Sequence, residues 1–123
     1  MRVSQKSINP TLNKQLFCLL YQAIDDLKDP AEVEIFFKDL LAKTELQAMM
    51  KRLAVAYYLD KGRSYQHLKQ NLKVSSATIA TISRQMAKRP GYFLALKKIK
   101  ADEWAGRWAG KLTALTQKLS PKK

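Results

Sequence analysis

Apolar residues recur at spacings of three and four along most of the chain, and alternation at period two is nearly absent. That pattern predicts an all-α domain of about six helices. Residues 1–11 read as a polar, flexible arm. Leu16, Phe17, Leu20, Tyr21 and Ile24 then give the apolar face of a first helix over residues 12–27. Asp29 is a suitable N-cap for the next helix, Pro30 suits its first turn, and Glu32 completes a capping-box-like start. Val33, Phe36, Phe37, Leu40 and Leu41 supply that helix with a stripe to bury. Thr44 is expected to cap a third helix, with Glu45 in its first turn. Leu46, Met49, Met50, Leu53, Ala56, Tyr57 and Leu59 make this helix apolar over more than half its circumference. One small neighbour cannot cover so broad a face. Gly62 closes the helix at the C′ position, where a left-handed residue is wanted.

Residues 64–88 carry the most specific pattern. Leu68 and Leu72 share one face of a short helix. Lys73-Val74-Ser75 has room only for a turn. Val74, Ile79, Ile82 and Met86 then form one apolar stripe, and opposite it stand Ser76, Ala77, Ala80, Thr81, Arg84 and Lys88. Ser64 and Ser75 are in place to cap the two helices. Together they make a helix-turn-helix, whose second helix lies against the edges of DNA bases. Lys73 stands where many such turns have glycine, and a left-handed lysine costs about 1–2 kcal/mol.

Pro90-Gly91 is expected to stop the second helix, closing a helical domain over 12–91. A basic helical extension follows over 92–123. It contains one internal repeat, WAGRWAGK, at 104–111. A four-residue period puts Trp104 and Trp108 on one face, continued by Leu112, Leu115 and Leu119, and Arg107 with Lys111 on another. The tryptophan stripe suits packing on the core or on a partner subunit. The alternative is a basic amphipathic helix on a membrane surface.

Charge sharpens the picture. The 123 residues hold 23 Lys+Arg against 10 Asp+Glu, a net charge of +13. Residues 1–83 carry 12 basic and 8 acidic side chains; residues 84–123 carry 11 basic and only Asp102 and Glu103. A basic surface concentrated in the last third implies a polyanionic partner, with nucleic acid first and an anionic membrane second. One cysteine, Cys18, and one histidine, His67, exclude an intrachain disulfide, a cysteine-rich zinc site and the usual catalytic triads. No enzyme activity and no cofactor is expected. Cys18, between Phe17 and Leu19, reads as a buried structural thiol. No signal peptide is visible, and no run approaches the about 18 apolar residues that span a bilayer. A cytoplasmic location, away from the membrane, is the expectation.

A helix enters the major groove of double-stranded DNA only if its leading face is not bulky. Ser76, Ala77, Ala80 and Thr81 are all small, and Thr78 lies beside them. Alanine and the threonine methyl can pack on a thymine methyl, while hydroxyls bond to base edges or phosphates. Arg84 and Lys88, further along, reach phosphate or, for Arg84, a guanine edge. On the first helix, Gln66, His67 and Lys69 are placed for the DNA backbone, as is Lys73 in the turn. The amides of Ser75 and Ser76 at the second helix's N-terminus suit a phosphate.

From about residue 16 to 90 the sequence resembles the Trp-repressor superfamily, and within it the YerC/YecD-like branch. The matching pieces are FFKDLL (36–41), ELQAMMKRLAVAYYLDKG (45–62), YQHL (65–68) and SSATI (75–79), in matching order and spacing. The resemblance implies an intertwined homodimer presenting two readers to successive major-groove turns. It also accounts for the broad apolar face of the third helix, much of which would meet the other subunit. In tryptophan-responsive members two arginines bracket the ligand. Arg52 matches the first, but Thr81 stands where the second should be, and Ile82 takes the following glycine's place. Gln85 replaces a serine that helps hold the amino group, and Ala42 a threonine near the ligand. The expectation is a homodimeric, sequence-specific transcriptional repressor that works without tryptophan or another small-molecule effector. The alternative is a nonspecific nucleic-acid-binding protein that uses the basic C-terminal helix.

Overall fold

The computed structural model describes residues 1–119, with side-chain surroundings for 1–107. Six helices follow one another: α1 (Pro10–Asp26), α2 (Pro30–Leu40), α3 (Lys43–Asp60), α4 (Tyr65–Leu72), α5 (Ser76–Lys88) and α6 (Pro90–Leu119). The fold is all-α, with no strand among the described residues. The chain divides into two compact units, Met1–Gln47 and Ala48–Lys123.

In the first unit, helix starts are set by side chains that reach back to free amides. Asn9 Oδ1 accepts from the amides of Thr11 at 2.9 Å and Leu12 at 3.3 Å, so α1 begins at Pro10 and not at 12. Asp29 caps α2 as its sequence implies, its Oδ1 accepting from the Glu32 amide at 3.0 Å. Glu32 Oε1 accepts from the Lys28 amide at 3.0 Å, one residue further back than in a capping box. Thr44 does not cap α3. Glu45 Oε1 takes the Ala42 amide at 2.6 Å, so the helix starts at Lys43 with Thr44 inside its first turn.

The apolar stripes of α1 and α2 are only partly covered: Leu20, Ile24, Val33, Phe36 and Phe37 are half-buried, whereas Leu16, Phe17, Tyr21 and Leu40 are exposed. Neither helix has a buried residue. Phe17 is 49% exposed, Leu19 66% and Tyr21 62%. Cys18 is exposed as well, contrary to its apolar neighbourhood in sequence. Periodicity selects a face; it does not supply what packs on it.

The second unit has a closed core. Val55 and Ala56 of α3, Leu68 of α4, Ile79 and Ile82 of α5, and Leu96 of α6 are all buried. Leu72, Val74, Met86, Tyr92 and Ile99 pack around them. Gly62 sits at φ 83°, and the Arg63 amide reaches back to the Tyr58 carbonyl at 3.0 Å, ending α3 with a Schellman-type turn. Pro90 starts α6 directly after the Arg89 cap of α5. Pro90 and Gly91 therefore form a first helical turn, two residues earlier than expected, because proline is preorganised for that position. The boundary drawn at 91/92 falls inside α6, whose Tyr92, Leu96 and Ile99 face the core.

Past Ile99, polar contacts hold α6 beside α3. Lys100 pairs with Asp60 at 2.8 Å. Glu103 accepts from the Tyr57 hydroxyl and pairs with Lys61 at 3.1 Å, while Lys61 lies 5.2 Å from the Tyr57 ring centre. The Tyr57 hydroxyl, then Lys61, hold the Glu103 carboxyl below the usual carboxylate range. Hydrogen bonding to Glu103 raises both Tyr57 and Lys61 above their ordinary values. The WAGRWAGK repeat falls on α6. Trp104 is 58% exposed, whereas the side chains of Trp108, Lys111, Leu112, Leu115 and Leu119 lie outside the described residues.

The turn between α4 and α5 explains Lys73. It caps α4 at φ 56°, ψ 48°, in the left-handed region that glycine occupies without strain. Lys73→Gly should therefore stabilise the protein. Relief of about 1–2 kcal/mol of strain is offset by glycine's greater freedom when unfolded. A net gain of about 0.5–1 kcal/mol is expected, readable as a melting point raised by roughly 2–5 °C. A melt unchanged or lowered would contradict it.

Candidate nucleic-acid interface

The two helices of the 64–88 segment are fixed by their caps. Ser64 Oγ accepts from the His67 amide at 3.1 Å, and Ser75 Oγ from the Thr78 amide at 3.1 Å. The Ser75 hydroxyl also donates to Thr78 Oγ1 at 3.0 Å. Both hydroxyls are thus committed to starting α5. Leu68, Ile79 and Ile82 hold the pair on the core, so the opposite face is set by the same register.

That face is open. Ser76, Ala77, Thr78, Thr81, Arg84 and Lys88 are exposed and Ala80 is half-buried, giving a shallow surface of small side chains that ends in two cations. On α4, Gln66, His67 and Lys69 are exposed, as are Lys73 in the turn and Ser75 at the cap. Asn71 was not singled out by sequence pattern. Its amide donates to the His67 carbonyl at 2.8 Å and lies 3.3 Å from His67 Nδ1, so it orients the ring that the spacing alone left free. On α5, the Thr81 hydroxyl donates to the Ala77 carbonyl at 2.9 Å and accepts from Arg84 Nη2 at 3.2 Å. Arg84 is therefore laid along this exposed face.

A cavity of about 520 Å³ opens on this face, where Ala77, Thr78 and Thr81 meet Arg52, Ile82, Gln85, Arg89 and Tyr92. Ile82 is 3% exposed and belongs to the core; it forms a wall and leaves the space open. Arg89 brings a second guanidinium to the rim, a contribution hidden in sequence because the residue reads simply as the end of α5. Among the described residues no cluster of three or more His, Cys, Asp or Glu side chains could hold a metal ion. Among them, too, no helix is long and apolar enough to cross a membrane.

The chain has relatives among known proteins. The family model described as Trp repressor protein matches residues 15–100. The chain belongs to the Trp repressor family. The uncharacterized protein YerC of Bacillus subtilis is 34% identical over 85 residues, which cover 68% of this chain and 82% of that protein. A TrpR-like protein from Eubacterium eligens superposes with a TM-score of 0.67 at 30% identity, over 75% of this chain and 96% of its own. A candidate Trp repressor from Staphylococcus aureus gives a TM-score of 0.63 at 28% identity, over 76% and 89%. The family is one of regulators that bind DNA through a helix-turn-helix. Residues 101–123 lie beyond the matched stretch.

Proposed function

We propose that this Trp repressor family member is a homodimeric, sequence-specific transcriptional repressor that reads double-stranded DNA with α5. The observation that carries the reading is the face of exposed Ser76, Ala77 and Thr81 and half-buried Ala80, ending in Arg84. Its small residues let the helix approach base edges, and its arginine supplies a bidentate donor for guanine. Gln66, His67, Lys69, Lys73 and Lys88 sit around it as phosphate contacts. The proposal of a dimer rests on the uncovered apolar faces of α1 and α3: Leu16, Phe17, Leu19, Met49, Met50 and Leu53 are all more than 40% exposed, which in one chain alone is an unfavourable surface. Action without tryptophan is proposed because Thr81 stands where tryptophan-responsive members carry their second arginine; the guanidiniums at this cavity come from Arg52 and Arg89 instead. A cytoplasmic location, with DNA as the partner, follows from this reading.

Arg84→Ala should weaken binding to the selected site by roughly tenfold or more, the effect of losing one bidentate base contact. Ala80→Arg should change or abolish sequence preference by crowding the groove. Titrations by fluorescence anisotropy at two salt concentrations check both. Binding should fall with salt at a log–log slope near about −0.9 per phosphate neutralised. If affinity and preference survive both substitutions, the reading face is wrong.

The concentration of basic residues after position 84 favours one second reading, nonspecific nucleic-acid binding through α6. Deleting residues 104–123 separates the two. A reader keeps its sequence preference, whereas a coating protein loses its binding.

A further inference from the structure

We infer that Thr81 is a positioning residue that aims Arg84 at a single base edge; the inference rests on α5 being the reading helix. Thr81 donates its hydroxyl proton to the Ala77 carbonyl one turn back, at 2.9 Å. That bond fixes the direction of the hydroxyl. Its oxygen is then left as an acceptor facing the next turn, where Arg84 Nη2 meets it at 3.2 Å.

The geometry has a consequence for recognition. Side chains on a helix lean toward its N-terminus, so a guanidinium held by the residue three positions back is carried toward the first half of α5. There Ala77 and Ala80 keep the surface low. It is this half of a reading helix that approaches base edges. A guanidinium has five N–H donors in a planar fork. One at Nη2 is occupied by Thr81, which leaves the others for the O6 and N7 acceptors of guanine. Among the described residues no ion pair draws Arg84 elsewhere. A side chain fixed before binding loses less rotamer freedom on contact and tolerates fewer alternative bases.

The test compares Thr81→Val, which keeps the shape and removes the acceptor, with Thr81→Ser, which keeps the hydroxyl. DNA duplexes come from fragments selected by the full-length protein, with each base varied in turn. Wild type should prefer guanine at one position of each half-site, and Arg84→Ala should erase that preference. Thr81→Val should reduce discrimination at that position alone by about three- to tenfold, the range expected for one hydrogen bond. Its circular dichroism melt should stay as in wild type. Thr81→Ser should discriminate like wild type. Discrimination unchanged in Thr81→Val, or lost equally in Thr81→Ser, overturns the inference while the DNA-reading function stands. If full-length protein selects no sequence at all, the functional reading fails, and the inference with it.

Discussion

Leu68→Ala should remove a large share of the protein's folding stability. Leu68 is fully buried, 0% exposed, at the centre of a core formed by Val55, Ala56, Ile79, Ile82 and Leu96. Truncating such a side chain removes transfer free energy and leaves a cavity, costing about 2–5 kcal/mol. A domain of this size has only about 5–15 kcal/mol in hand. Leu68 also seats α4 against α5, so α5 loses its support as the core opens. Urea denaturation followed by circular dichroism should show the midpoint falling sharply. Lys69→Ala, one residue on and exposed, should stay within about 0.5 kcal/mol of wild type. Equal midpoints for Leu68→Ala and wild type would mean that this leucine is not the centre of the core.

Ala77→Glu should do the opposite, abolishing DNA binding while leaving the fold intact or slightly firmer. Ala77 is exposed in the first turn of α5. A carboxylate there favours the positive end of the helix dipole by about 0.3–1 kcal/mol. Against DNA the same charge faces phosphates and acceptor-rich base edges. Juxtaposed like charges cost several kcal/mol, so a loss of at least about 100-fold in affinity is expected. A melt and an anisotropy titration on the same sample read both effects. Wild-type affinity in this variant would show that the N-terminal half of α5 does not approach the duplex.

These two substitutions separate what was legible in the sequence from what was not. The core side of the 64–88 segment was legible. Leu68, Ile79 and Ile82 repeat at helical spacing, and serine caps precede each helix, so register and exposed face follow together. Gly62 and Asp29 were legible for the same reason, because each meets a local backbone need. Helix starts that depend on a side chain reaching back were less so. Asn9 and Glu45 moved the ends of α1 and α3 by one or two residues, and Pro90 made a helix start of what read as a stop.

What packs on an apolar face was not legible at all. The stripe of α1 has the right period, yet Phe17, Cys18 and Leu19 are exposed. Long-range polar contacts were equally hidden. Tyr57 and Glu103 are 46 positions apart, and no spacing rule joins them. Lys73 was visible as an anomaly and is explained by its left-handed backbone. The turn keeps glycine's geometry without glycine, at a cost in stability.

The central claim is that α5 reads DNA sequence from a two-fold symmetric dimer. Selection of bound fragments from a random duplex pool by the full-length protein, at stated salt, tests it most directly. The expected result is a palindromic sequence with half-sites about one helical turn apart, enriched by wild type and not by Ala77→Glu. Retained DNA without a common sequence, or the same sequence enriched by Ala77→Glu, would contradict it.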